Sequence, residues 1–275
     1  MSIRITTLIE NSAGEDPSLS NEHGISFFIE KDGRSLLFDT GQSSAFIRNS
    51  NKMGIDLSST DFVVLSHGHY DHTGGFTALS KISNNFELLV KEGIFTEKYS
   101  YKDGSYSFKG NSFDRAFLDS RRIAYRFIEE ECTGVLPGAY LVGNFPRIFP
   151  DEVPGEHFVV LENGQYRHDT FDDEVLLALD SPKGLVLVLG CSHPGVRNMI
   201  EHAKKLLKRP VYAILGGTHL KEAEEKRRED TIDYLVREVE GPIGVSHCTG
   251  EKAMARLSAA TPRYFHNITG SVLEV

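Results

Sequence analysis

Phe62-Val63-Val64-Leu65-Ser66-His67-Gly68-His69-Tyr70-Asp71-His72-Thr73-Gly74-Gly75 is the stretch on which the reading of this chain turns. An apolar run of strand type leads straight into His67, His69, Asp71 and His72, four candidate metal ligands within six residues. Gly68 permits a tight turn inside the cluster. His67 and His69 alternate and can face one side, while Asp71 and His72 turn toward a neighbouring position. Imidazole with carboxylate suits one or two divalent ions, zinc first, with iron or manganese as alternatives. A merely polar exposed loop accounts poorly for three histidines and an aspartate so close together.

Three later strands carry the same signature. The apolar runs before Ser192-His193, Thr218-His219 and Ser246-His247 each end in a histidine just past the strand. Ligand sites in layered α/β folds gather at the carboxyl ends of strands. Four such histidines therefore predict one shared site.

The rest of the chain frames that site. Residues 3–9, 24–29, 35–39 and 61–65 read as strands, and 43–53 as a short helix. From 175 onward the pattern alternates strand and helix. Residues 185–189 and 211–215 are apolar runs of buried-strand type, and 194–208 and 222–239 are helices. Residues 93–164 differ: they are rich in Tyr, Phe, Gly and charge and carry no long periodic helix. They read as an insertion, either a surface excursion with its own small core or a cap over the site. The expectation is one domain over 1–275 with that insertion.

Composition narrows the function. With 40% hydrophobic and 25% charged residues the chain is of ordinary globular type. A formal charge of −9 argues against a nucleic-acid-gripping surface. It leaves room for a local basic pocket and an anionic small-molecule substrate. No apolar stretch is long enough for a membrane helix, and the N-terminus lacks a signal-peptide core. Cys132, Cys191 and Cys248 are odd in number and far apart, which disfavours a disulfide framework and points to a reducing cytoplasm. Homo-oligomerisation is left open.

The cluster resembles the His-x-His-x-Asp-His signature of the metallo-β-lactamase superfamily. Leu37-Phe38-Asp39-Thr40-Gly41 resembles that superfamily's upstream Asp-x-Gly strand end, and Thr73-Gly74-Gly75 its glycine turn. Four further stretches narrow the likeness: Glu22-His23-Gly24, Gly190-Cys191-Ser192-His193-Pro194-Gly195, Gly216-Gly217-Thr218-His219 and Ser246-His247-Cys248-Thr249-Gly250. They are similar to the 7,8-dihydropterin-6-methyl-4-(β-D-ribofuranosyl)-aminobenzene-5'-phosphate synthase-like subgroup of metal-dependent hydrolases. The resemblance implies an α/β (α+β) fold, a four-layer αββα sandwich with a one- or two-metal site between sheet edges. It implies His67, His69, Asp71 and His72 as ligands, with His193 and His247 as the later histidines. The superfamily's bridging aspartate has no clear counterpart, and Cys191 is the candidate for its place. Asp39 is expected to orient the metal loop by hydrogen bonding.

The chemistry expected is hydrolysis or transfer at a small phosphate- or pyrophosphate-bearing substrate, with Asp71 as both ligand and proton acceptor. His23, Arg147 and His219 are the candidate substrate contacts. Two alternatives stand beside it. One is a pterin-pathway synthase that displaces pyrophosphate; the other is a metal-holding sensor or binding protein without turnover.

Overall fold

The computed structural model describes residues 2–275, and two facing sheets organise them. The first runs Val272–Glu274, Ile3–Ile9, Ser26–Lys31, Arg34–Phe38, Phe62–Val64, Glu87–Val90, Ala124–Phe127. The second runs Ile243–Ser246, Val211–Gly217, Gly184–Val188, Leu176–Ser181, Ala139–Val142, Cys132–Leu136. Strands alternate their side chains between two faces, so each sheet can feed two cores. Ile29, Phe38, Val64 and Leu89 from the first sheet meet Leu177, Leu179, Val188 and Leu215 from the second in a fully buried central layer.

The outward faces are equally apolar, which explains the unbroken hydrophobic runs. Leu37, Val63 and Leu88 pack on Phe46, Phe76 and Leu118 from short helices outside the first sheet. Leu185 and Leu187 pack on Met199 and Ile200 of helix Val196–Leu207, in a layer that also holds Ile232 of Glu225–Glu238 and Leu257 of Glu251–Ala260. Three cores between four layers make the chain an αββα sandwich. Each buried Leu, Ile or Val contributes about 1.5–3 kcal/mol relative to exposure, before the cost of ordering the chain.

Strand direction places the site. Arg34–Phe38, Phe62–Val64 and Glu87–Val90 are mutually parallel, and so are Gly184–Val188, Val211–Gly217 and Ile243–Ser246. Parallel strands deliver their carboxyl ends to one edge. The segments after them carry Asp39, His67, His193, His219 and His247.

Residues 93–164 divide between three destinations, which the sequence reading did not anticipate. Ala124–Phe127 completes the first sheet, and Cys132–Leu136 with Ala139–Val142 joins the second. Only Glu97–Lys102, Ser105–Phe108 and Phe158–Glu162, with Gln165–His168 beyond the stretch, form a separate four-stranded sheet. Short strands at sheet edges show weak periodicity, so they read as irregular chain.

Candidate functional site

The segments after the parallel strands are held by a frame of buried carboxylates. Asp39, fully buried, accepts from the Ser66 amide through Oδ1 at 2.7 Å and from Ser66 Oγ through Oδ2 at 2.7 Å. The same Oδ2 lies 2.7 Å from His72 Nδ1, which turns Nε2 of that ring away from Asp39 and to within 3.1 Å of Cys191 Sγ. Glu174 accepts from the amides of Ser192 at 2.5 Å and His193 at 2.8 Å. Glu10 accepts from the His247 amide at 2.6 Å, and Asn11 Oδ1 lies 2.8 Å from His247 Nδ1. His193 and His247 thus have their backbone or ring fixed from behind, the usual way of orienting a metal ligand.

Backbone strain marks the same positions. Asp39, Phe171, Ser192, His219 and His247 all have φ between 50° and 61°, a region that non-glycine residues avoid. Such conformations persist where the surrounding structure imposes them, and they cluster at functional sites.

In front of this frame the ligand atoms converge. One atom each from Asp71, His72, Cys191 and His247 lies within 4.8 Å of the others, and the same holds for His67, Cys191 and His193. His67 Nε2 is 3.1 Å from His69 Nδ1. Asp71 Oδ2 lies 3.2 Å from His23 Nε2 and 3.3 Å from His247 Nε2. Cys191 belongs to both groups.

Electrostatics show what the cluster lacks. Burial drives His67, His69 and His193 well below the ordinary histidine range, so these rings are neutral and able to ligate. Burial would lower His72 too, but Asp71 and Asp39 push it up to about 9. Burial raises the Cys191 thiol well above its ordinary value. Asp71, despite its burial, is held well below the carboxylate range by His72, His23 and His247. His69 Nε2 and both ring nitrogens of His193 are buried with no hydrogen-bond partner. Buried polar atoms without partners are costly and rare. Imidazole, thiol and carboxylate donors converging around them fit a divalent cation, whose binding displaces the protons held here.

The cluster opens into a cavity of about 180 Å³ whose lining includes Asp71, His69, His193, His219, Cys191 and His247. Phe158 from the four-stranded sheet forms part of its wall, 5.3 Å from the His69 ring and 5.7 Å from His219. Phe171 stacks on His193 at 3.7 Å and 9°. His219, pushed down to about 4 by burial with Arg227 and His247 adding to it, lies 4.3 Å from the His193 ring. His23 is half exposed at the mouth, with Tyr70, Lys109 and His157 nearby in the lining.

The metal loop is also pinned from the four-stranded sheet. Lys98, 2% exposed, reaches Asp169 at 2.7 Å and Asp173 at 3.0 Å. Asp173 Oδ2 accepts from the Gly68 amide at 2.8 Å. A Cβ on residue 68 would stand 2.8 Å from the Ile94 carbonyl oxygen and 3.0 Å from Lys98 Cε, so only glycine lets the loop lie this close.

Of the candidate site residues the sequence singled out, all but Arg147 belong to the ligand groups, line the cavity or, as Asp39 does through His72, contact a ligand group from behind. Arg147 is exposed and absent from the cavity lining. Its neighbours Phe145 and Phe149 pack on the outer core of the second sheet, against His202 and Tyr234, which keeps that segment away from the mouth. The cations that line the cavity are Lys109 and Lys221. Sequence reading missed Glu10, Glu174, Lys98, Asp173, Phe158 and Phe171. The run Asp172-Asp173-Glu174, directly before an apolar strand, is the one local signal that could have drawn attention to two of them.

Comparison with known proteins identifies the family and the fold. A model of the metallo-β-lactamase superfamily matches residues 22–169. The 7,8-dihydropterin-6-methyl-4-(β-D-ribofuranosyl)-aminobenzene-5'-phosphate synthase of Methanocaldococcus jannaschii is 31% identical over 262 residues, covering 91% of this chain and 89% of that protein. The crystal structure of Tm1679, described as a metal-dependent hydrolase of the β-lactamase superfamily, superposes with a TM-score of 0.84 at 28% identity, covering 99% of both chains. A diphosphatase of the PhnP family shares the fold at a TM-score of 0.58 and 15% identity, over 100% of this chain and 98% of that one.

Proposed function

The chain belongs to the metallo-β-lactamase superfamily, and from that premise we propose that it is a metal-dependent enzyme acting on a small phosphate- or pyrophosphate-bearing substrate. The observation that carries the proposal is the pair of donor groups sharing Cys191 at the base of one cavity. His67 and His193, with His69 beside them, would hold one divalent ion, and Asp71, His72 and His247 would hold a second, with Cys191 common to both donor groups; the donors suit zinc. Bound there, the ions supply Lewis acidity toward a phosphoryl oxygen and toward water.

The remaining work falls to the chain itself. Asp71 takes up the proton released from the attacking group and passes it to His23, 3.2 Å from Oδ2 and half exposed to solvent. His219 and Phe158 position the substrate, the ring of Phe158 giving a flat apolar wall. Lys109 and Lys221 attract its negative charge. Burial of the ligand cluster excludes bulk water and strengthens each of these interactions.

A second reading is a synthase, in which an aromatic amine displaces pyrophosphate from a dihydropterin pyrophosphate. The 31% identical relative bearing a synthase name favours it, and the Phe158 wall suits a planar ring.

Zinc-loaded protein incubated with a dihydropterin methyl pyrophosphate, with and without an aromatic amine, separates the two. Pyrophosphate release without amine supports hydrolysis; release only with amine, with a new carbon–nitrogen bond, supports synthesis. Both are expected to vanish in Asp71→Ala. Absence of turnover on pyrophosphates, phosphate monoesters and diesters alike refutes the enzyme proposal and returns the chain to a binding role.

A further inference from the structure

Two of the chain's three cysteines, Cys191 and Cys248, line the ligand cavity together, and both are free thiols. Cys191 follows strand Gly184–Val188 and Cys248 follows strand Ile243–Ser246, with strand Val211–Gly217 between those two in the sheet. Gly217, the last residue of the middle strand, lets them meet. A Cβ there would stand 2.4 Å from Cys248 Sγ and 3.2 Å from Cys191 Cα. The Cys248 thiol fills that space, donating to the Cys191 carbonyl oxygen at 3.4 Å and hydrogen-bonding the Cys191 thiol. Its sulfur also accepts from the His219 amide at 3.3 Å.

The segments that carry the pair are fixed against one another. The Gly217 amide donates to the Gly190 carbonyl at 2.8 Å, and Ser192 Oγ donates to the Gly217 carbonyl at 2.7 Å. The residues on either side of Cys191 are therefore tied to the glycine that Cys248 packs on. Thiols already in contact on such a frame need only a short further approach to the about 2.0 Å of an S–S bond.

Exposure sets the order of reaction. Cys191 is 4% exposed and Cys248 is partly exposed, so an oxidant entering through the cavity meets Cys248 first. Cys132, the third cysteine, packs on the outer core of the second sheet and has no part in the cavity lining.

We propose that Cys191 and Cys248 are an oxidisable pair, which hydrogen peroxide closes into a disulfide that withdraws Cys191 from both donor groups. Peroxide transfers one oxygen to Cys248 Sγ, giving a sulfenic acid and one water. Cys191 Sγ then attacks that sulfur, the S–O bond breaks as the S–S bond forms, and the hydroxyl leaves with the Cys191 proton as a second water. Two thiols lose one electron each, and the peroxide takes up both. His72 Nε2, 3.1 Å from Cys191 Sγ, loses that thiol as a neighbour. The effect on metal rests on the assignment of Cys191 to the donor groups; the crosslink itself does not.

The experiment treats the full chain, zinc-loaded and zinc-free, with hydrogen peroxide. In the zinc-free chain the intact mass is expected to fall by two hydrogens, and non-reducing peptide mapping to join Cys191 to Cys248 while Cys132 remains open to alkylation. Bound zinc, by occupying the Cys191 sulfur, should slow the crosslink. The oxidised chain should bind zinc more weakly by at least the about 10–100-fold that loss of a group behind a ligand costs, and a thiol reductant should restore it. Cys248→Ser should abolish the crosslink at unchanged zinc content, and Cys132→Ser should leave it intact. Oxidation of Cys191 or Cys248 to sulfinic acid without a crosslink, or a crosslink through Cys132, overturns the proposal. A crosslinked chain that binds zinc as tightly as the reduced one supports the thiol pair while refuting Cys191 as a ligand.

Discussion

Replacing Lys98 by Met tests whether the four-stranded sheet stabilises the metal loop or merely covers it. The ammonium is buried between Asp169 at 2.7 Å and Asp173 at 3.0 Å, 4.8 Å from the centre of the Phe171 ring. Burial would lower its pKa, yet the two aspartates hold it above the ordinary lysine value. Methionine roughly keeps the stem's volume and removes the charge, leaving two buried carboxylates facing each other. Removing one partner of a buried ion pair costs about 3–5 kcal/mol. The lower end applies here, because Asp169 and Asp173 each keep a backbone amide donor, from Phe171 and Gly68. A loss of about 3 kcal/mol corresponds to a fall in melting temperature of roughly 6–12 °C for a chain of this size. Melting should be followed at fixed free zinc, since ligand binding shifts apparent stability by mass action. Adding Asp169→Asn and Asp173→Asn to Lys98→Met removes the stranded charges while keeping oxygen acceptors, and should restore most of the loss. A Lys98→Met variant within about 1 kcal/mol of the parent, or no recovery in the triple variant, refutes the reasoning.

Three further outcomes follow from the site. Asp39→Asn should lower zinc affinity by about 10–100-fold in chelator competition, because the His72 ring loses its charged partner while nothing in the cavity changes. If the two donor groups each take an ion as proposed, Cys191→Ser should reduce the zinc bound at saturation from two ions per chain toward one by elemental analysis, since the sulfur alone belongs to both groups. Gly68→Ala should cost about 1–3 kcal/mol in denaturant titration, because its Cβ meets the Ile94 carbonyl backbone at 2.8 Å, which cannot yield like a side chain.

What the sequence displayed and what it hid differ in physical kind. The run from His67 to His72 and the histidines after the later strands were legible because each is a local pattern, an apolar strand ending in a ligand type. Parallel pairing then brings His193, His219 and His247 to one edge of the second sheet, and the facing of the two sheets adds His67 to them. The supporting groups are invisible by the same logic. Glu10 and His247 are separated by 237 positions, and Glu174 and His193 by 19, so no spacing rule links donor to acceptor. Phe158 and Phe171 reach the cavity only because the four-stranded sheet returns over it, within a region whose short edge strands carry little periodicity. Arg147 shows the opposite failure: a charge in an uncommitted stretch invites a role, while the packing of Phe145 and Phe149 decides where it goes. The ligands of such a site are written into strand ends, but the carboxylates that aim them are chosen by the fold, so a search for function in sequence alone finds the chemistry before the specificity.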